Sequence, residues 1–198
     1  MFIQMSNLIE EYPNILTEEI CEDIIEKIQE DPLIQEIPKN NKEWKKTENY
    51  LYKNLLSCVS DYKKKRIKNI VLETECPISK ELLEGLQAKM GVISFKIIQN
   101  TTQVSNYNRS MSRYNLLSFV FYLNKVKNGQ LVFKDKDDVD HSSSKNNNVK
   151  NRVIEPEVGK LVLFPETPEL FYHGESPLDS EVQYIITGQI IVIDDKNM

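Results

Sequence analysis

Apolar residues recur every four positions at Leu16, Ile20, Ile24 and Ile28, a period that places an amphipathic helix over Asn14 to Glu30. Thr17 can cap its start, Glu18 and Glu19 suit the positive end of the helix dipole, and Asp31 with Pro32 stops it. A polar, lysine-rich connection from Pro38 to Lys46 holds the only tryptophan, Trp44; a surface anchor and a lid over the core are both open for that ring. The four-residue period returns from Thr47 at Leu51, Leu55, Val59 and Tyr62, in a second helix that finishes in Lys63, Lys64, Lys65 and Arg66. A third helical segment, Ser79 to Met90, opens on a serine cap and ends before Gly91.

From Gly91 the pattern changes. Val92 to Gln99 is a strand candidate, Asn100 to Arg113 is polar and irregular, and Leu116 to Asn124 is dense in aromatic and aliphatic residues. A turn at Asn128 and Gly129 leads to Leu131, Val132 and Phe133, which predicts a hairpin. Lys134 to Asn151 carries Asp137, Asp138, Asp140, His141 and runs of serine and asparagine; it is too hydrophilic to bury and reads as a long loop between strands. Arg152 to Val192 supplies the closing strands: Val153 and Ile154, a turn through Pro156 and Gly159, Lys160 to Phe164 stopped by Pro165, Leu170 to Tyr172, and the β-prone run Val182 to Ile193. His173 stands between the last two, and Asp194 to Met198 is a polar tail.

Helices first and about seven or eight short strands afterwards predict an α+β protein built on a β-sandwich or jelly roll. One domain over residues 1–198 suits the length, with 1–90 as a mainly helical buttress and 91–193 as the jelly-roll core, interrupted by the polar loop at about 134–151. Composition changes little in this picture. A hydrophobic content of 40% with 28% charged residues is ordinary for a globular chain, and a net charge of −5 disfavours a general nucleic-acid binder. Lys63 to Arg66 would complement a helix C-terminus, with contact to phosphate or an acidic partner as the competing reading. Cys21, Cys58 and Cys76 are odd in number and widely spaced, which indicates reduced thiols rather than a disulfide framework or a zinc site. Met1 to Tyr12 lacks the cationic start and apolar run of a signal peptide, and no run reaches membrane-spanning length. A cytoplasmic or nucleocytoplasmic protein, or one packaged from the cytosol, is the expectation.

Three pieces of the closing half carry a resemblance. Phe119-Val120-Phe121-Tyr122-Leu123-Asn124 with Asn128-Gly129-Gln130-Leu131-Val132-Phe133 is similar to a "YLN" strand followed by a "GGxTxF" hairpin. Ile154 to Pro165 is similar to "i-x-P-x-x-G-x-x-x-x-F-P", and His173-Gly174-Glu175-Ser176-Pro177 leading to Tyr184-Ile185-Ile186-Thr187-Gly188 is similar to a segment that holds a distal metal ligand. Together these resemble the prolyl 4-hydroxylase type of the iron(II) and 2-oxoglutarate dependent dioxygenases, and Leu16 to Ile25 is similar to the opening helix of many members. The resemblance implies a double-stranded β-helix core and, in an active member, an open iron site of two histidines and one carboxylate with 2-oxoglutarate beside it.

The residues depart from that pattern in two places. The family's H-x-D ligand pair precedes the "YLN" strand, and the best match is Asn106-Tyr107-Asn108, asparagine in both ligand places; no His, Asp or Glu occurs from Gly91 to Asn124. Asparagine is a neutral, weak ligand and cannot replace an imidazole. His173 takes the place of the distal ligand, but the basic residue that pairs with the far carboxylate of 2-oxoglutarate falls on Gln183, which brings no charge. Arg113, Arg152 and Lys160 are the cations that could substitute from other strands. His141 and His173 are the only histidines, so a two-histidine site within one molecule must use both, with Asp138 or Asp140 nearby. For His173 two readings stay open: a hydrogen-bonded histidine at the barrel mouth, or a retained ligand.

The resemblance and its departures favour a catalytically inactive member, a binding, structural or regulatory protein with no cofactor expected. Its partner would be a protein, engaged by the barrel mouth, the Lys134 to Asn151 loop or the Trp44 segment, with no membrane role; compact viral members make a viral accessory or virion component one option. The competing reading is an active hydroxylase using iron(II) and 2-oxoglutarate at a rearranged site of His173, His141 and an aspartate.

Overall fold

The computed structural model describes residues 5–71, 77–92, 94–100, 115–135, 151–167, 170–175, 177 and 181–193. Helix α1 (Glu18–Glu30) starts where expected: the Thr17 hydroxyl accepts the Ile20 N–H at 3.3 Å, and the Asp31 N–H closes the last turn on the Lys27 carbonyl. It buries Cys21, Ile24 and Ile28. Helix α2 (Lys45–Val71) begins two residues before Thr47 and continues five residues beyond Arg66. The basic run therefore lies inside the helix and not at its end. Lys65 pairs with Asp61 one turn back at 2.8 Å, and Arg66 pairs with Glu10, so these charges are matched where the macrodipole would not have matched them. Helix α3 (Pro77–Gln87) opens on proline, whose missing N–H costs nothing at that position. Trp44 is buried at 5% exposure with the Lys27 ammonium 5.6 Å from its ring, so it belongs to the core and is not a surface anchor.

Nine strands among the described residues form two antiparallel sheets. The larger runs β1 (Glu10–Tyr12), β7 (Leu161–Pro165), β4 (Asn115–Tyr122), β9 (Gln183–Val192), β2 (Met90–Val92), with β3 (Lys96–Asn100) also paired to β9. The smaller runs β6 (Arg152–Ile154), β5 (Leu131–Asp135), β8 (Leu170–Gly174). From β4 the chain crosses to the smaller sheet for β5 and β6, returns for β7, crosses again for β8 and returns for β9, the winding of a jelly roll, and the helices with the antiparallel sheets make the chain α+β.

Three sequence expectations change. Asn128 and Gly129 do turn with positive φ, 67° and 59°, but β4 and β5 do not pair as a hairpin; they lie in different sheets. Eight residues separate them, and Asn124 is held to β9 by bonds to the Val182 carbonyl and the Tyr184 N–H, so the chain crosses between the layers. The single strand expected from Val92 to Gln99 is split into β2 and β3, both paired to β9, and between them the Ser94 carbonyl passes Gly188 so closely that a Cβ there would stand 2.3 Å from it. Strand β1 has only three residues, too few to show a period, and was not foreseen.

One hydrophobic cluster joins Ile24 and Leu55 of the helices with Phe119, Phe133 and Leu163 of both sheets. The sheets meet through three rings: Phe133 lies 5.0 Å from Phe164 and 5.8 Å from Tyr172, and Phe164 lies 4.7 Å from Tyr172. Cys21 and Cys58 are buried, and burial pushes both thiols from the ordinary value near 9 up to about 11. The folded chain holds these protons more tightly than the unfolded chain, so the contribution is intact below about pH 9 and is lost as pH rises toward 11. Urea midpoints should hold steady to about pH 9 and then fall, and a Cys21→Ala, Cys58→Ala double variant should fall less. Equal slopes for both proteins would refute this. Cys76 lies outside the described residues.

Candidate functional site

His173 is in β8, opposite Val132 of β5, and its neighbour Tyr172 is opposite Phe133. Tyr172 is among the rings between the two sheets. Because successive side chains of a strand point to opposite faces, His173 and Val132 lie on the face turned away from those rings. Burial agrees: Val132 is 4% exposed yet stands outside the main core cluster that contains Leu131 and Phe133, and His173 is half-buried.

Gln183 opens β9 with 3% exposure. Its side-chain amide donates to the Gly129 carbonyl at 2.7 Å, and a Cβ added at Gly129 would stand 2.7 Å from the same nitrogen. The amide thus ties the start of β9 to the turn before β5, with one of its two N–H donors committed to that backbone carbonyl. Two of the three cations that could replace a basic residue here are also committed. Lys160, 5% exposed at its side chain, donates to Glu157 at 2.9 Å, Glu11 at 3.2 Å and the Glu155 carbonyl at 3.0 Å. Arg152 reaches the other oxygen of Glu11 at 3.3 Å. A buried ammonium needs such partners, because unpaired it would carry a large desolvation cost. Glu11 is the residue that sequence reasoning missed; only the edge pairing of β1 with β7, Glu11 opposite Val162, brings it to both cations.

The architecture was compared with known proteins. No family model matches the chain, and no curated protein matches it in sequence. Among solved structures, the viral collagen prolyl hydroxylase of Paramecium bursaria Chlorella virus 1, in complex with 2-oxoglutarate, superposes with a TM-score of 0.56 at 12% identity, over 94% of this chain and 97% of that one. A Pseudomonas putida prolyl-4-hydroxylase gives 0.56 at 13% identity, over 96% of this chain and 97% of that one. HygX from Streptomyces hygroscopicus, with nickel and 2-oxoglutarate bound, gives 0.61 at 9% identity, over 93% and 81%. The chain has a 2-oxoglutarate-dependent dioxygenase fold.

Among the described residues, no three His, Cys, Asp or Glu side chains converge to hold an ion. Asn106, Asn108, Arg113, Asp138, Asp140 and His141 lie outside the described residues. The described residues by themselves do not supply the three ligands of an iron centre.

The Lys63 to Arg66 run is not a free basic site either. Lys63 donates to the Ala88 carbonyl at 3.5 Å, Lys65 and Arg66 are ion-paired, and Lys64 is exposed with no ion pair among the described residues. The Lys65 ammonium holds the Asp61 carboxyl below the usual carboxylate range. Lys65 also lies 5.2 Å from the Tyr12 ring and Arg66 5.8 Å from the Tyr62 ring, so the run fastens α2 to β1. Among the described residues, the Gln183 amide, the Lys160 ammonium and the Arg66 guanidinium are held by hydrogen bonds and ion pairs.

Proposed function

We propose that this chain is a catalytically inactive relative of the 2-oxoglutarate-dependent dioxygenases and acts as a binding, structural or regulatory protein on protein partners. The observation that carries the reading is Gln183. At the position where the resemblance implies a cation for the far carboxylate of 2-oxoglutarate, it supplies a neutral amide already bonded to the Gly129 carbonyl. Arg152 and Lys160 are turned to Glu11 instead of replacing that cation. The sequence adds asparagine at both upstream ligand places, and the alternation of β8 turns His173 away from the rings between the sheets. Neighbours of the same fold are recorded with 2-oxoglutarate and with nickel or iron, which makes those the ligands to test.

Purified protein should bind no 2-oxoglutarate by calorimetry in the presence of iron(II) or manganese(II), should contain no stoichiometric iron by elemental analysis, and should form no succinate above the protein-free blank. Iron-dependent conversion of 2-oxoglutarate to succinate, lost on His173→Ala or His141→Ala, would overturn the proposal and establish the rearranged hydroxylase in its place. A cytoplasmic or nucleocytoplasmic location, with a virion role as one form of it, goes with the proposal and is checked by fractionation.

A further inference from the structure

Leu33 is 88% exposed, the highest exposure of any large hydrophobic side chain among the described residues, and it follows closely on α1. While α1 turns Cys21, Ile24 and Ile28 inward, Glu18, Glu19, Glu22, Glu26 and Glu30 are all exposed. None of these five carboxylates is in an ion pair among the described residues; the one ion pair of α1 joins Asp23 and Lys27. Helix α2 has the opposite character, with eight basic residues against two acidic ones in a chain of net charge −5.

The exposed part of α2 is ordered in the same way. Lys46, Lys53 and Lys64 are seven and eleven residues apart, two and three helical turns, so they fall in one outward line, and all three are exposed. Tyr52, 40% exposed, and Leu56, 37% exposed, flank that line on one side. One face is acidic with a bare leucine at its end, and the other is basic with a small apolar patch beside it. Within a single copy the two do not cover each other, as the exposures show.

We infer that α1 and Leu33 of one copy dock on the outer face of α2 of a second copy. Glu19 and Glu26 repeat the seven-residue spacing of Lys46 and Lys53, so helices laid side by side in the same direction match charge to charge over roughly 10 Å. Leu33 follows three residues after the end of α1, at the end of the pair where Leu56 follows Lys53 on α2. Each copy carries both faces, so a two-fold pair makes the contact twice and closes. Exposed ion pairs contribute little affinity singly; here they set the register and make association depend on salt, while burial of Leu33 against Tyr52 and Leu56 supplies the apolar part.

The test is sedimentation velocity on the full chain at about 50 mM and about 500 mM salt, conditions that differ severalfold in screening length. A dimer is expected at low salt, with association at least about tenfold weaker at high salt. Lys46→Glu with Lys53→Glu, and separately Glu19→Lys with Glu26→Lys, should each give a monomer, and mixing the two variants should restore a dimer. Leu33→Ser should weaken association at both salts. Every substituted side chain is exposed, so circular dichroism and thermal midpoints should stay near wild type. A monomer at both salts overturns the inference and leaves the two faces to other proteins; so does a dimer indifferent to either reversal, or the failure of the mixture to recover.

Discussion

Gly159→Ala is expected to lower the folding free energy by at least about 3 kcal/mol, among the largest losses any single small substitution in this chain should produce. The residue has φ +73°, a left-handed conformation that an L side chain resists, and an added Cβ would stand 2.0 Å from the Leu16 carbonyl oxygen. That oxygen is backbone and cannot move aside as a side-chain tip can. It is also held in place, because the Ile15 and Leu16 N–H groups donate to the Gly159 carbonyl at 2.8 and 3.1 Å, and the Gly159 N–H donates to the Tyr122 carbonyl at 2.9 Å. One glycine thus fastens the entry of α1 to the end of β4 and the start of β7. A thermal midpoint lower by roughly 6–12 °C would follow for a chain of this size. Gly129→Ala is the comparison: its φ is also positive, but the nearest atoms are side-chain tips of Val126 and Gln183, so its loss should be smaller. A Gly159→Ala midpoint within a degree or two of wild type would remove the proposed role of this contact.

Phe133→Ala should cost about 3–5 kcal/mol by urea denaturation. Phe133 is fully buried, belongs to the middle strand of the smaller sheet, and meets Phe164 of the larger sheet edge-on at 5.0 Å. Deleting its ring leaves a cavity between layers whose other walls, Phe164 and Tyr172, are anchored in separate sheets and cannot collapse together freely. Phe133→Leu keeps most of the volume and should lose markedly less. Equal losses for the two variants would mean that the ring contacts contribute no more than generic apolar burial.

Much of the fold was legible because it rests on local chemistry. The four-residue period and the Thr17 cap located α1, and Leu51, Leu55, Val59 and Tyr62 gave the buried side of α2. Asn128 and Gly129 announced a turn because both can adopt positive φ, which they do. What that turn joins was not legible. A hairpin and a crossing between sheets require the same dihedrals, and only the bonds of Asn124 to β9, some sixty residues further along the chain, separate the two. The fate of Trp44 was equally open from sequence, since a lone aromatic in a polar connection carries no period. Its burial, with Lys27 of α1 over the ring, is a tertiary fact.

For the candidate site, sequence by itself determined which residue types exist to do chemistry. It has two histidines, asparagine at 106 and 108, and glutamine at 183, and these hold whatever the chain's shape. Tertiary structure decided what the described ones among them meet. Gln183 faces the Gly129 carbonyl, 54 residues away, and Glu11 meets Lys160 across 149 residues and Arg152 across 141. His173 takes its face from the register of β8 on β5. The physical reason is the range of the forces involved. Periodicity, capping and turn dihedrals are settled within a few neighbours, while strand register and the pairing of buried charges are settled by contacts that only the closed sandwich creates.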